Sequence, residues 1–146
     1  MRIYFETTVK GDYKSVFNRF DRNLFLFLTP PAQPVSLLRF DGSTKGDEIH
    51  LRFGFPVYGN WVSLVTDSGE TAGSCFFIDE GRTLPMGMTY WKHIHTVKAS
   101  PEQGKCIIVD DINFSTGKWL LDRLMYPALY LAFIGRKPKY QKYFGK

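Results

Sequence analysis

The chain has 146 residues, 44% hydrophobic and 16% aromatic, with 13 Phe, 8 Tyr and 3 Trp. At this length about two-thirds of the unfolded surface can be buried, so a full core and one domain over residues 1–146 are expected and a disordered chain is excluded. The formal net charge of +5 sits in RKPKYQKYFGK, residues 136–146, which holds five cations and no acid; the rest of the chain is neutral.

No apolar run approaches the roughly 20 residues of a membrane-spanning helix. The opening MRIYFETTVKGD lacks the apolar stretch of a secretion signal, so a cytoplasmic protein is expected. Nucleic acid is not expected as a partner, because its recognition needs a broader basic face. The C-terminal cations suit the negative pole of a helix end. The alternative is peripheral membrane contact through that basic C-terminus, whose cations alternate with Tyr140, Tyr143 and Phe144. Cys75 and Cys106 lie in apolar runs without CxxC spacing, which predicts buried free thiols.

In chain order, Ile3, Phe5, Thr7 and Val9 alternate with polar neighbours, a strand ended by Gly11-Asp12. Asp12 is a candidate N-cap, and Val16, Phe17 and Phe20 predict a helix over Tyr13–Phe20. A second, Asn23–Leu28, stops at Thr29-Pro30-Pro31. Strands are predicted at Val35–Phe40, Glu48–Phe55, Asn60–Thr66, Ser74–Asp79, Thr89–Lys98 and Cys106–Phe114, with glycine-containing turns between them. Asp67–Gly69 and Gly81–Gly87 are among those turns, the latter read as a mobile loop at a cavity mouth, with Asp79-Glu80 solvated just before it. A long helix is predicted over Lys118–Ile134, extending toward Phe144, with a kink or restart at Pro127.

The order of strand, two short helices, six strands and a long final helix resembles the START-like (SRPBCC) superfamily. Val16-Phe17 and Leu28-Thr29-Pro30-Pro31 are similar to its N-terminal pattern of a Val-Phe pair before a Leu-x-Pro exit. FIDEGRTLPMGMTYWKHIHTV, Phe77 to Val97, and CIIVDDINF, Cys106 to Phe114, resemble a subgroup with an Asp-Glu turn, Trp-x-His-x-His and an acid-containing last strand. The chain departs from that pattern at Cys106, where Thr is more usual, and at Arg82–Met86, which lacks the Gly-Pro-Phe loop. The resemblance implies an α+β helix-grip fold, a curved seven-stranded antiparallel sheet wrapped around the C-terminal helix, with an internal cavity.

Strand alternation places Trp91, His93, His95 and Val97 on one face and Lys92 on the other, so the histidines are expected inward. Asp110 shares the apolar face of the next strand with Cys106, Ile108, Ile112 and Phe114, and an interior Asp requires a partner such as a histidine N–H. A His93/His95/Asp110 cluster is therefore expected. It reads as a strand-bracing polar knot, as an anchor for a ligand's polar group, or as general acid/base machinery. Asp110 and Asp111 face oppositely and form no carboxylate pair, and His50 falls on a polar face away from the other histidines. No GxGxxG, P-loop, GxSxG or HExxH motif is present, so neither a metal nor a cofactor is expected.

Phe53, Trp61, Phe76, Trp91, Ile108, Leu120, Leu124 and Tyr130 are the candidate apolar wall around these polar residues. The expected function is binding of a hydrophobic or amphipathic small molecule, lipid, polyketide or quinone-like. The alternatives are a cyclase or hydratase using His93, His95 and Asp110, and a membrane-surface or protein-interaction domain.

Overall fold

Along β1 (Arg2–Lys10), Ile3, Phe5, Thr7 and Val9 are buried while Arg2, Tyr4, Glu6 and Lys10 are exposed, as the period of two requires. The computed structural model describes residues 1–146. Six more strands follow: β2 (Val35–Phe40), β3 (Glu48–Phe53), β4 (Gly59–Thr71), β5 (Ser74–Thr83), β6 (Tyr90–Ala99) and β7 (Lys105–Ser115). They form one curved antiparallel sheet in the order β1-β7-β6-β5-β4-β3-β2.

β1 and β2, consecutive strands of the chain, therefore lie on opposite edges. The segment between them carries α1 (Tyr13–Phe17) and α2 (Arg22–Leu28) across the sheet, with α1 touching β5, β6 and β7. Both helices start on side-chain caps: Asp12 accepts from the Lys14 and Ser15 N–H groups at 3.1 and 3.0 Å, and Asp21 accepts from that of Leu24 at 2.9 Å. After β7 come α3 (Trp119–Ile134) and α4 (Arg136–Phe144), the latter packed on β1 and α2.

Several predicted boundaries move. α1 ends at Phe17 because the next residues tighten into i→i−3 bonds, Arg19 to Val16 and Phe20 to Phe17. β3 stops at Phe53. β4 runs through the predicted Asp67–Gly69 turn, its register shifting between Val65 and Asp67, and turns instead at Ala72-Gly73. Gly69 is there for clearance, since a Cβ would lie 3.2 Å from the Phe76 ring. β5 likewise continues past Asp79-Glu80 to Thr83, which pairs with Val62, so the predicted Gly81–Gly87 loop shrinks to residues 84–89. The C-terminal helix passes through Pro127 and breaks at Gly135.

Beneath the sheet lie two apolar clusters. One gathers Val9, Val97, Cys106 and Ile108 with Val16 of α1, Leu24 and Leu28 of α2, and Tyr140 of α4. The other joins Ile3, Phe5, Met88, Trp91, Ile112 and Phe114 to Phe133 of α3. On β6, His93 and His95 fall between Trp91 and Val97; on β7, Asp110 falls between Ile108 and Ile112. A polar belt thus separates two oily regions.

Candidate functional site

Alternation and register together build the belt. Asp79, in the same inward row of β5 as Cys75 and Phe77, stands directly opposite His93, and Asp110 stands directly opposite His95. The shorter contacts are the diagonal ones: Nε2 of His93 lies 2.9 Å from Asp110 Oδ1, and Nε2 of His95 lies 3.1 Å from Asp79 Oδ2. The other ring nitrogens sit farther away, His93 Nδ1 at 3.8 Å from Asp79 and His95 Nδ1 at 3.6 Å from Asp110. The imidazoles are held face to face between the carboxylates, centroids 3.5 Å apart and planes at 36°. Phe77 stacks on the far side of His95 at 4.3 Å, and Phe133 meets His93 edge-on at 5.4 Å.

The C-terminal helices complete the group. Tyr140 donates its hydroxyl to Asp110 Oδ1 at 3.4 Å, and Arg136 Nη1 reaches within 4.0 Å of the same oxygen, its guanidinium over the Phe133 ring. Burial alone would raise the Asp110 carboxyl; the His93 hydrogen bond and the surrounding positive charge outweigh it and hold it at about 2. Only the Arg136 part of that charge is permanent. Asp79 is displaced downward too, burial being outweighed by the His95 hydrogen bond and nearby charge. His93 is pushed down to about 4, first by burial and then by His95, against the pull of the two carboxylates.

At neutral pH His93 is therefore a neutral imidazole facing an ionised Asp110. A carboxylate can only accept, so the His93 proton occupies Nε2. By the same logic His95 donates from Nε2 to Asp79, and its Nδ1 is buried without a hydrogen-bond partner. Burial, followed by the proximity of Asp110, keeps the Tyr140 phenol protonated.

Asp79, His93 and His95 each offer one metal-ligand atom, all within 4.8 Å of one another, the donor set of a three-ligand site. Here the two Nε2 atoms are instead engaged by the carboxylates of Asp110 and Asp79. Lone pairs lie in the ring planes, and the two rings, stacked at 3.5 Å and tilted by 36°, each spend one nitrogen on a carboxylate hydrogen bond. The geometry is that of a hydrogen-bonded cluster.

The cluster opens on a cavity of about 350 Å³ beneath the sheet. His93, His95, Asp79 and Arg136 are at its wall, and the remainder is mainly apolar, including Ile49, Leu51, Phe77, Met125, Leu129 and Ala132. Of the residues singled out in the sequence, Phe53, Trp61, Trp91, His93 and His95 line this cavity, with the Trp61 and Trp91 rings edge to face at 4.8 Å. Asp110 lies just behind the wall, bonded to His93.

Several expectations need correction. Phe76 is on the opposite face of β5, over Gly69: both rows of SCFFI are apolar there, and Cys75 and Phe77 take the inside. Ile108 is packed in the core with Val9 and Tyr140. Leu120 and Leu124 point to solvent and Tyr130 is 39% exposed, because α3 turns Met125, Leu129, Ala132 and Phe133 inward. Asp79 is buried within β5, where its bond to His95 compensates desolvation. The aromatic part of the basic C-terminus is occupied: Tyr140 is fully buried, and Tyr143 and Phe144 pack against the same cluster.

Asp79, Arg136 and Tyr140 join the cluster without being among the expected residues. Asp79 carried a signal, since it keeps the parity of Cys75 and Phe77. Arg136 did as well, falling seven residues after Leu129 and eleven after Met125.

No protein-family model matches the sequence, and no curated protein does. Solved structures do. Norcoclaurine synthase from Thalictrum flavum superimposes with a TM-score of 0.68 over 97% of this chain and 84% of its own, at 12% identity. The Zhui aromatase/cyclase from Streptomyces sp. R1128 gives 0.66 over 96% and 90%, at 11% identity. A hypothetical protein of Helicobacter pylori gives 0.69 over 99% and 88%, at 12% identity. The chain has a helix-grip fold. At these identities the likeness concerns the grip of sheet on helix, and the lining of the helix-grip cavity is this chain's own. No helix is long and apolar enough to cross a membrane.

Proposed function

We propose that residues 1–146 act as one binding domain for a small amphipathic molecule of lipid, polyketide or quinone-like type. Its apolar body occupies the cavity and its polar end meets the His93/His95/Asp79/Arg136 wall. One observation carries the reading: Asp79, His93, His95 and Arg136 stand together in a wall that is otherwise mainly apolar, the composition by which pockets orient a ligand. A structure of norcoclaurine synthase holds dopamine and hydroxybenzaldehyde, aromatic molecules with polar ends, which supports a ligand of this general shape.

The test is a thermal-shift screen of fatty acids, quinones and aromatic polyketides, with native mass spectrometry of protein purified from its own source. A ligand at about a hundredfold above its Kd stabilises the fold by ~2.7 kcal/mol, a rise in Tm of about 9 °C for a chain of this length. A panel without any shift, joined to an empty native spectrum, overturns the reading.

A second reading, a cyclase or hydratase using His93, His95 and Asp110, is favoured by the tautomer lock described above. An ionised Asp110 fixes the His93 proton on Nε2 and leaves Nδ1 free to accept. If His93→Ala and Asp110→Ala both leave turnover of a substrate unchanged, that reading fails.

A further inference from the structure

We propose that the outer face of α3 and the adjoining rim of the cavity mouth dock on an anionic lipid surface. Leu120, Leu124, Pro127 and Leu131 recur at helical spacing and form one stripe. Leu124 and Leu131 are 69% and 67% exposed, and Trp119 at the helix start is 72% exposed. Single exposed leucines are ordinary; a continuous stripe with an aromatic end is not.

The stripe runs into the mouth. Ala128, flanked by Leu124 and Leu131 on the same face, is exposed and also lines the cavity. A Cβ on Gly87 of the β5–β6 loop would touch Leu121 of α3 at 4.0 Å, and one on Gly59 would press to 2.8 Å from Pro85. The β3–β4 loop, the β5–β6 loop and α3 thus follow one another along a single rim. That rim adds Phe55 and Tyr58, 71% and 72% exposed, and Met86.

Charge selects the occupant. Segments 54–60 and 82–89 contain no acid, and the one acid of 117–131, Asp122, is buried and bound to Thr116. Arg82 of the second segment and Lys118 and Arg123 of the third are exposed, while 54–60 carries no charge of either sign. Two copies meeting stripe to stripe would oppose like charges with no acid between them. An anionic bilayer supplies both the oil and the counter-charge, the combination that holds interfacial helices. The α4 rings take no part, being packed inside.

The proposal is independent of the ligand reading and is tested without ligand. The full chain is sedimented with phosphatidylcholine vesicles with and without phosphatidylserine. Binding is expected to the phosphatidylserine vesicles and to weaken with salt. Leu124→Asp combined with Leu131→Asp, both exposed and therefore tolerated by the fold, should lower partitioning by at least about tenfold. Leu38→Asp, an exposed leucine on β2, should leave it unchanged. Absence of wild-type binding, or equal binding of the double variant, overturns the proposal. So does a concentration-dependent dimer in ultracentrifugation that the double variant abolishes, which would assign the face to a second copy.

Discussion

Removing the Asp110 carboxylate tests the polar belt most directly. Its Oδ1 accepts hydrogen bonds from His93 Nε2 at 2.9 Å and from the Tyr140 hydroxyl at 3.4 Å, and its side chain is 3% exposed. Asp110→Ala strands a buried imidazole N–H and removes the nearest counter-charge of Arg136, so a loss of ~3–5 kcal/mol is expected, as for a broken buried ion pair. Asp110→Asn keeps an acceptor for His93 while surrendering charge assistance, and should cost ~1–2 kcal/mol. The pair His93→Phe with Asp110→Leu replaces both partners by apolar groups between two apolar clusters, and should cost less than Asp110→Ala alone. Urea titration with an unchanged m-value gives each number. If Asp110→Ala costs under ~1 kcal/mol, or the double apolar variant costs the sum of its single changes, the two side chains are not coupled as described.

Acidification should weaken the fold. His93 has its folded value lowered from 6.5 to about 4, so the unfolded chain binds the extra proton first, and stability declines as pH falls from 6.5 toward 4 with a slope of ~1.4 kcal/mol per unit. Asp110, lowered from 3.8 to about 2, adds a further loss only below pH 3.8; pH-dependent urea midpoints that stay flat between 6.5 and 4 would contradict the His93 assignment. Ala132→Phe projects a ring into the cavity. In a true void it should leave stability within ~1 kcal/mol while blocking ligand, whereas a loss of ~1–3 kcal/mol would mean an already filled space. Burial raises the Cys75 thiol and pushes that of Cys106 up to about 11, so a thiol reagent should label neither in the native protein at neutral pH and both in urea.

The resemblance of motifs to the helix-grip pattern was legible because each local signal agreed with its neighbours. Asp12 caps a helix as its position suggests, Pro30-Pro31 follow the end of α2, and the Trp-x-His-x-His row faces inward because Lys92 must face out. Ambiguity entered where both parities were apolar or where a turn signal was borrowed for another purpose. Gly69 looked like a turn residue but makes room for Phe76, and Asp79-Glu80 looked like a loop but continue the pairing of β5 with β4.

What the sequence by itself determined was the alternation of strands, the caps, and the need of an inward Asp110 for a hydrogen-bond donor, since these depend on neighbours along the chain and on desolvation. Parity and helical spacing put Asp79 and Arg136 on inward faces, but tertiary structure decided that Asp79 closes the cluster from the other side, that Arg136 and Tyr140 reach it from α4, and that α3 turns Leu129 inward and Leu124 outward. Those choices depend on strand register and on the rotation of a helix whose apolar residues surround it, and no local pattern fixes either.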